Sequence, residues 1–149
     1  MWKKLVLTDD RLWATLPLRI ALGAIFLAHG SQKLFGWLGG KGLTGTAGYF
    51  AVKLGLAPGM LWALLAGMGE FGGGLLLLLG LFTRLGAFLI AAVMLVAILK
   101  VHWGAFFMPA GSEFAFSLLC SAVALLIAGG GKFSLDAWLQ KDFPDPGAR

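Results

Sequence analysis

The chain has 149 residues, of which 59% are hydrophobic and only 13% are charged, whereas a typical soluble domain has about 25% charged residues. Its mean hydropathy is +0.88, so the composition excludes an ordinary soluble domain and predicts an integral membrane protein. The formal charge of +5 is interpreted as membrane topology, because no basic stripe with interleaved aromatic residues points to a nucleic-acid partner. The single cysteine, Cys120, lies in an apolar run, which excludes an internal disulfide, a CxxC redox pair and a cysteine-based metal site.

The N-terminal part of the chain predicts an interfacial segment followed by a first membrane span. Residues 1–15 mix acidic and basic side chains with two tryptophans, which is typical of an anchor at the membrane surface. Residues 16–35 are long enough to cross a hydrocarbon core of about 30 Å as a helix. The alternative is a signal peptide cleaved near Ala28-His29-Gly30, but the acidic residues of the lead-in are unusual for one.

Three further apolar runs complete a predicted all-α, integral membrane four-helix bundle, with residues 1–149 as a single membrane domain. These spans cover residues 59–82, 85–106 and 113–128. Residues 36–57 are rich in glycine and predict an extracytoplasmic loop with a short interfacial helix over residues 46–54. Residues 129–149 form a polar cytoplasmic tail with an amphipathic piece over residues 133–139.

The lysines and arginines predict the orientation of this bundle, because they accumulate on the cytoplasmic side of membrane spans. Eight of the twelve fall near the N-terminus, the turn after the second span or the C-terminus: Lys3, Lys4, Arg11, Arg19, Arg84, Lys132, Lys141 and Arg149. The other four are Lys33, Lys41, Lys53 and Lys100. Both termini are therefore predicted to be cytoplasmic.

Polar residues within the spans converge in the outer half of this predicted bundle. His29 and Lys33 are four residues apart and share a helix face, and Glu70 lies roughly 15 Å below the outer end of its helix at about 1.5 Å per residue. His102 lies near the end of the third span, and Glu113 begins the fourth. We expect all five side chains to ring one outward-facing pocket.

Small residues on the helices that carry the two glutamates predict that both carboxylates face inward, because small residues allow close helix contacts. The residues on the face of Glu70 are Ala63, Ala66, Gly67, Gly73 and Gly74. Those on the face of Glu113 are Ser117, Cys120, Ser121 and Ala124. Both glutamates are therefore expected to lie between helices.

A carboxylate at this depth is costly as an unpaired charge, so Glu70 is expected to be neutral or to be paired with Lys33 or protonated His29. Beside an apolar cavity, such groups suit the proton exchange that accompanies quinone chemistry. We therefore predict Glu70 and His29 as catalytic residues. The predicted ligand-binding residues are His102, Lys33, Glu113, Trp37 and Trp103.

Structural roles remain open for several of these residues. Lys33 can be a lysine that extends to the lipid headgroups, the tryptophans can form an aromatic belt at the interface, and each histidine can bridge helices by a hydrogen bond. Two histidines and two glutamates can also bind a metal, but no Glu-x-x-His spacing occurs, and the prediction is no metal site.

In four ordered segments, the chain resembles the DoxX family of small four-helix membrane proteins. The segments are residues 19–36 with Leu27-Ala28-His29-Gly30; Gly69-Glu70-Phe71-Gly72-Gly73 followed by Leu79-Gly80-Leu81-Phe82-Thr83-Arg84; Val101-His102 before a short aromatic loop; and Glu113 at the start of the last helix. The resemblance covers residues 17–136. It implies a multi-pass protein of the inner (plasma) membrane that is related to the DoxD-type small subunit of thiosulfate:quinone oxidoreductase, and to members that act with partner enzymes in redox and thiol stress.

Two functions from different classes are predicted. The first is a membrane component of a quinone-linked oxidoreductase or redox-stress system with quinone as the cofactor; whether this chain is itself an enzyme is left open. The second is a non-enzymatic accessory or assembly subunit, whose polar cluster holds the helices together and whose loop over residues 36–57 binds a partner. A small-molecule permease is a third alternative. The expected partners are the lipid bilayer and either another protein or a second copy of this chain.

Overall fold

The computed structural model describes residues 3–107 and 111–141. Within these ranges the regular structure is helical and contains no strand, so the all-α prediction is confirmed. In chain order the helices are α1 (Lys3–Val6), α2 (Thr15–Leu34), α3 (Gly42–Lys53), α4 (Gly59–Leu79), α5 (Thr83–Lys100), α6 (Glu113–Ala128) and α7 (Leu135–Lys141). A short 3-10 turn, Trp37–Gly39, lies between α2 and α3.

The four apolar runs form α2, α4, α5 and α6, but α4 ends at Leu79 rather than at residue 82, and α5 begins at Thr83 rather than at residue 85. Helix α5 ends at Lys100 rather than near residue 106, because the Ala97 carbonyl accepts hydrogen bonds from both Val101 N and His102 N and so closes the last turn. The loop over residues 36–57 holds a longer helix than predicted, since α3 begins at Gly42.

The outer surfaces of the long helices are those of a membrane protein. Helices α4 and α5 are long and apolar enough to cross a membrane, with mean hydropathies of 1.6 and 1.9, and α6 is a shorter apolar helix. Helix α2 has 20 residues but is less apolar, because it carries Arg19, His29 and Lys33. Large apolar side chains are exposed along α4 and α5, among them Met60, Leu61, Leu64, Leu65, Met68, Leu75, Phe88, Leu95 and Leu99. A soluble monomer rarely exposes so extensive an apolar surface, and lipid covers it at no cost.

Glycines bring α2 and α4 into backbone contact. A Cβ atom at Gly30 would lie 2.4 Å from the backbone nitrogen of Phe71, and one at Gly74 would lie 2.6 Å from that of Leu27. Side chains larger than hydrogen therefore cannot occupy these positions without moving the two helices apart. Helix α4 also contacts α3 and α5, α5 contacts α6, and α6 contacts α2. The buried apolar core between them consists of Leu22, Phe26, Leu77, Ala87, Ile90, Ala91, Met94, Ala115, Leu118, Ala122 and Leu125.

A buried carboxylate holds the C-terminal part of the described chain to the turn between α4 and α5. Asp136 is 0% exposed, and its two carboxylate oxygens accept hydrogen bonds of 2.7 Å from Phe82 N and 2.8 Å from Thr83 N. These amides belong to the start of α5, where a negative charge is favourable. In return, Asp136 N donates to the carbonyl of Gly80 at 2.8 Å, which has a φ of +62° at the end of α4.

Arg19 and the turn that follows α1 also lie at this end of the molecule, which we call the terminal end. Arg19 is 1% exposed, and its guanidinium donates to the carbonyls of Gly130 at 2.9 Å and Phe133 at 3.1 Å. Thr8 N donates to Gln140 Oε1 at 2.8 Å. The described N-terminal and C-terminal segments therefore lie together, at the same end as the α4–α5 turn.

The first prediction concerns the contact between α2 and α4. Gly74→Ala should lower the free energy of unfolding by roughly 1–3 kcal/mol, because the new methyl group overlaps backbone atoms of α2. Gly72→Ala is the matched control on the same helix, since a Cβ there meets no atom within 4 Å. Gly72→Ala should leave the free energy of unfolding unchanged or raise it by up to about 1 kcal/mol, because alanine has a higher helix propensity than glycine. Thermal unfolding in detergent measures both, and equal midpoints for the two variants would contradict the proposed contact.

The second prediction concerns Asp136. Asp136→Asn leaves one acceptor oxygen where the carboxylate has two, so a buried N–H of α5 loses its partner at a cost of about 1–3 kcal/mol. Asp10→Asn is the control, because Asp10 is exposed at the same end, and its effect should stay within about 0.5 kcal/mol. Thermal midpoints of the two variants should differ clearly from each other.

Candidate functional site

An ion pair joins α2 and α4 at the end of the molecule opposite the terminal end. Lys33 Nζ donates to Glu70 Oε2 at 2.5 Å. Glu70 is 3% exposed, whereas a quarter of the Lys33 side chain remains accessible. Glu70 was expected to be either neutral or paired with a cation, and in the structure it is paired with Lys33. Lys33 therefore has a buried partner although part of its side chain is exposed.

The close approach of α2 and α4 explains this geometry. Gly67 lies one turn before Glu70 and leaves room for two residues of α2. A Cβ at position 67 would be 2.6 Å from the side chain of Leu34 and 3.5 Å from the Cβ of Lys33. A larger residue at position 67 would therefore push the end of α2 away from α4. Of the small face predicted around Glu70, Ala63, Gly67, Gly73 and Gly74 are buried, and Ala66 is half-buried.

A cavity of about 500 Å³, here called the main cavity, lies between α2, α3, α4, α5 and the start of α6. Two histidines, one lysine and one glutamate of the described chain line it, namely His29, Lys33, Glu70 and His102. The remaining walls are aromatic and aliphatic, with Phe26, Tyr49, Phe50, Trp62, Leu65, Leu89, Val93, Met94, Val96 and Phe114 among them. The sequence-predicted polar residues are therefore concentrated on one otherwise apolar cavity.

The other three predicted ligand-binding residues do not line the main cavity. Glu113 begins α6 and is half-buried. Trp37 is exposed and lies against Phe35, with ring centroids 4.9 Å apart, and Phe35 in turn contacts Phe71 at 5.4 Å. Trp103 is 76% exposed in the turns after α5. Their direct contact with a ligand of this cavity stays a prediction without geometric support.

The predicted inward face of α6 is wrong. The buried residues of this helix are Ala115, Leu118, Ala122 and Leu125, whereas Ser117 and Cys120 are exposed. The serine hydroxyls need no partner in the interior because the helix itself supplies one: Ser117 Oγ donates to Phe114 O at 2.7 Å, and Ser121 Oγ to Ser117 O at 2.8 Å. Apolar packing of alanine and leucine therefore sets the rotation of α6.

Sequence reasoning missed the aromatic residues that α3 contributes to the cavity. Helix α3 lies directly on the start of α4, because a Cβ at Gly59 would be only 2.3 Å from the carbonyl oxygen of Ala47. This contact brings Tyr49 and Phe50 to the wall of the cavity, which Trp62 of α4 also lines. One feature of the sequence could have indicated this contribution of α3. Two adjacent aromatic residues lie on a short predicted helix, and the next span begins with a glycine.

The arrangement combines a cation, a carboxylate and two imidazoles with an apolar volume. Such a set can hold a ring compound and can donate or accept protons at its polar edge. Within the described ranges, no group of three His, Cys, Asp or Glu side chains is placed to hold a metal ion.

Comparison with known proteins gives the family of the chain. The DoxX family model matches residues 14–103, which hold α2 to α5 together with His29, Lys33, Glu70 and His102 of the main cavity. A Bacillus subtilis (strain 168) protein named "Putative oxidoreductase CatD" is 34% identical over 127 residues, which is 85% of this chain and 87% of that protein. No solved structure matches the chain significantly. The chain therefore belongs to the DoxX family.

Proposed function

We propose that this protein is a membrane component of a quinone-linked oxidoreductase or redox-stress system and that it binds a quinone in the main cavity. The observation that carries the proposal is the Lys33–Glu70 ion pair at the wall of an apolar cavity. The name of the related Bacillus subtilis protein, "Putative oxidoreductase CatD", agrees with a redox role.

The residues of the main cavity fit a quinone in size and in polarity. A volume of about 500 Å³ falls inside the range of roughly 300–1,000 Å³ that is usual for small-molecule sites. Tyr49, Phe50 and Trp62 offer flat apolar walls to a ring, whereas the polar side chains come from α2, α4 and the end of α5. A quinone needs both, since its ring is apolar and its two oxygens accept hydrogen bonds.

Bound quinone would supply a two-electron, two-proton redox couple, and the chain's own residues would manage its protons. Lys33, already held in place by Glu70, would donate a hydrogen bond to an oxygen of the ligand. Glu70 and His29 would exchange protons with it, because a carboxylate and an imidazole can each take up and release one. His102 would donate a further hydrogen bond to the ligand. The electrons would come from a donor outside this chain.

Lipid gives an isoprenoid tail a direct route to the cavity. Leu65 of α4 and Val96 of α5 line the cavity and are at the same time exposed on the outer surface. Since that surface faces hydrocarbon, the tail of a quinone can leave the cavity between these helices without contacting water.

The membrane arrangement that fits this function has α2, α4, α5 and α6 as four spans of the inner (plasma) membrane. Arg84 at the α4–α5 turn and Lys132 and Lys141 in the C-terminal segment belong to the terminal end. By the positive-inside rule this end is cytoplasmic. The main cavity then lies in the outer half of the membrane.

The third prediction tests quinone binding. Purified protein is titrated with decylubiquinone, and binding is followed by quenching of tryptophan fluorescence, since Trp62 lines the cavity. Glu70→Gln and His29→Ala should each weaken binding, Glu70→Gln by roughly tenfold or more, because a charged hydrogen-bond partner contributes about 1.5–3 kcal/mol. Wild-type affinity in both variants would refute the proposal.

A pair of size variants separates occupancy of the cavity from general damage. Ala92 lines the main cavity, whereas Ala24 on α2 does not, and both are exposed. Ala92→Phe should reduce decylubiquinone binding by filling the cavity, and Ala24→Phe should leave it unchanged. Thermal midpoints of the two variants check that both remain folded.

A second candidate function, an accessory subunit for a partner enzyme, is favoured by the turns after α5. Trp103 and Phe107 are 76% and 75% exposed there, and large aromatic side chains are enriched where proteins bind one another.

The fourth prediction tests this second function. Affinity purification under mild conditions should recover a stoichiometric partner from wild type, and the double variant Trp103→Ala with Phe107→Ala should lose it. Phe88→Ala, exposed at mid-helix, is the control. Loss of the partner only in the double variant, with no bound quinone in wild type, would favour this function over the first.

A further inference from the structure

A second, more polar cavity of about 300 Å³ lies beside the main cavity, and we call it the side cavity. It is lined by Gln32, Lys33, Gly39, Gly40, Lys41, Thr46, Tyr49 and Phe50. Three of these residues, Lys33, Tyr49 and Phe50, also line the main cavity. Two lysines and no acidic side chain line the side cavity. Lys33 is paired with Glu70, so Lys41 is the lysine of this lining whose charge is not compensated by that ion pair.

Lys41 is held in a defined position at this cavity. Lys41 immediately precedes α3, and Gly45 and Tyr49 follow it at four-residue spacing on one face of that helix. The lysine stem lies across Gly45, where a Cβ would be only 2.7 Å from Lys41 Cβ. Its Nζ lies 5.7 Å from the centroid of the Tyr49 ring, within the range of a cation–π contact.

This lysine has a positive charge that the described chain does not neutralise. The ion pair of the site is the one between Lys33 and Glu70, and no carboxylate of residues 3–107 and 111–141 lies within ion-pair distance of Lys41. An ammonium group has three donors, and a ring face satisfies only its charge, not its hydrogen-bonding capacity. An anion in the side cavity would satisfy both.

The walls around Lys41 are fixed by backbone contacts. A Cβ at Gly40 would lie 2.3 Å from the carbonyl oxygen of Gln32, so the loop rests directly on the end of α2. Gln32 Nε2 donates to Leu38 O at 3.2 Å, and Thr46 Oγ1 donates to Gly42 O at 2.8 Å. The cavity therefore exists before any ligand arrives, which lowers the ordering cost of binding.

We propose that the side cavity binds an oxyanion of the phosphate type, with Lys41 as its principal cation and Lys33 adding to the positive field. Phosphate oxygens are the natural partners of a lysine ammonium. The same chemistry is offered by the headgroup of an anionic phospholipid and by free inorganic phosphate. This site does not depend on the presence of a quinone in the main cavity.

The single tyrosine of the chain makes the proposal directly measurable. Protein labelled with 3-fluorotyrosine gives one ¹⁹F resonance, which reports on position 49 at the side cavity. In detergent, inorganic phosphate is titrated against this resonance. In a second arm, native mass spectrometry compares retention of phosphatidylglycerol with that of zwitterionic phosphatidylcholine.

The fifth prediction is that Lys41→Gln weakens anion binding by roughly tenfold or more, because it removes a charge-assisted hydrogen bond. Lys53→Gln is the matched control, since it makes the same charge change at the other end of α3 and outside the cavity lining. Gly45→Leu should also weaken binding, because the new side chain displaces the lysine stem at unchanged net charge.

The outcomes separate this proposal from quinone binding. Saturable binding of phosphate, or selective retention of phosphatidylglycerol, that is lost in Lys41→Gln supports the site and identifies the source of the anion. An equal loss in Lys53→Gln, or no binding of either probe to wild type, overturns it. Decylubiquinone affinity should stay at the wild-type value in Lys41→Gln, so failure at one cavity is distinguishable from failure at the other.

Discussion

The contact between the backbones of α2 and α4 is the constraint on which the rest of the structure depends. Without side chains at Gly30 and Gly74, the two helices approach until backbone atoms meet. This separation is what allows Lys33 at the end of α2 to reach Glu70 on α4. A carboxylate buried among helices that face lipid is costly unless a cation neutralises it. The glycines therefore position the ion pair, and the ion pair makes the buried glutamate tolerable.

Buried polar groups serve different purposes at the two ends of the molecule. At the terminal end, Asp136 and Arg19 hold backbone amides and carbonyls of neighbouring segments, and both are almost inaccessible. Their partners are fixed main-chain groups, so this end is suited to stability. At the opposite end, Glu70 and Lys33 pair with each other and face open volume. An exchangeable side-chain pair beside a cavity is suited to ligand binding, since a ligand can compete for either partner.

The sequence allowed prediction where burial follows from the cost of polar groups in lipid. Glu70 had no inexpensive position other than between helices, and the small residues on its face indicated which way it points. The bounds of α2 followed from the length needed to cross a membrane, and those of α6 from an apolar run that begins after Ser112 and stops at three glycines. Of the residues predicted to share one pocket with Glu70, His29, Lys33 and His102 line the main cavity and Glu113 does not.

The differences between the predicted and the observed positions have a common physical cause. The sequence does not show which groups a side chain or a helix contacts. Ser117 and Ser121 bond to their own helix, so their polarity says nothing about the direction of the interior. Trp37 contacts Phe35 rather than a cavity. The position of α3 depended on the approach of Gly59 to Ala47, a contact between segments that no periodicity within α3 can report.

Lys33 lines both cavities, and this shared position has a thermodynamic consequence if both proposed ligands bind. An oxyanion in the side cavity attracts the ammonium group that Glu70 otherwise neutralises, so it weakens the hold of Lys33 on the carboxylate. A ligand oxygen in the main cavity competes for the same ammonium group from the other side. Two sites that draw on one cation must influence each other, and linkage requires the effect on affinity to be equal in both directions. Helix α3, which supplies Tyr49 and Phe50 to both cavities, is then a second element, besides the end of α2, that both ligands contact.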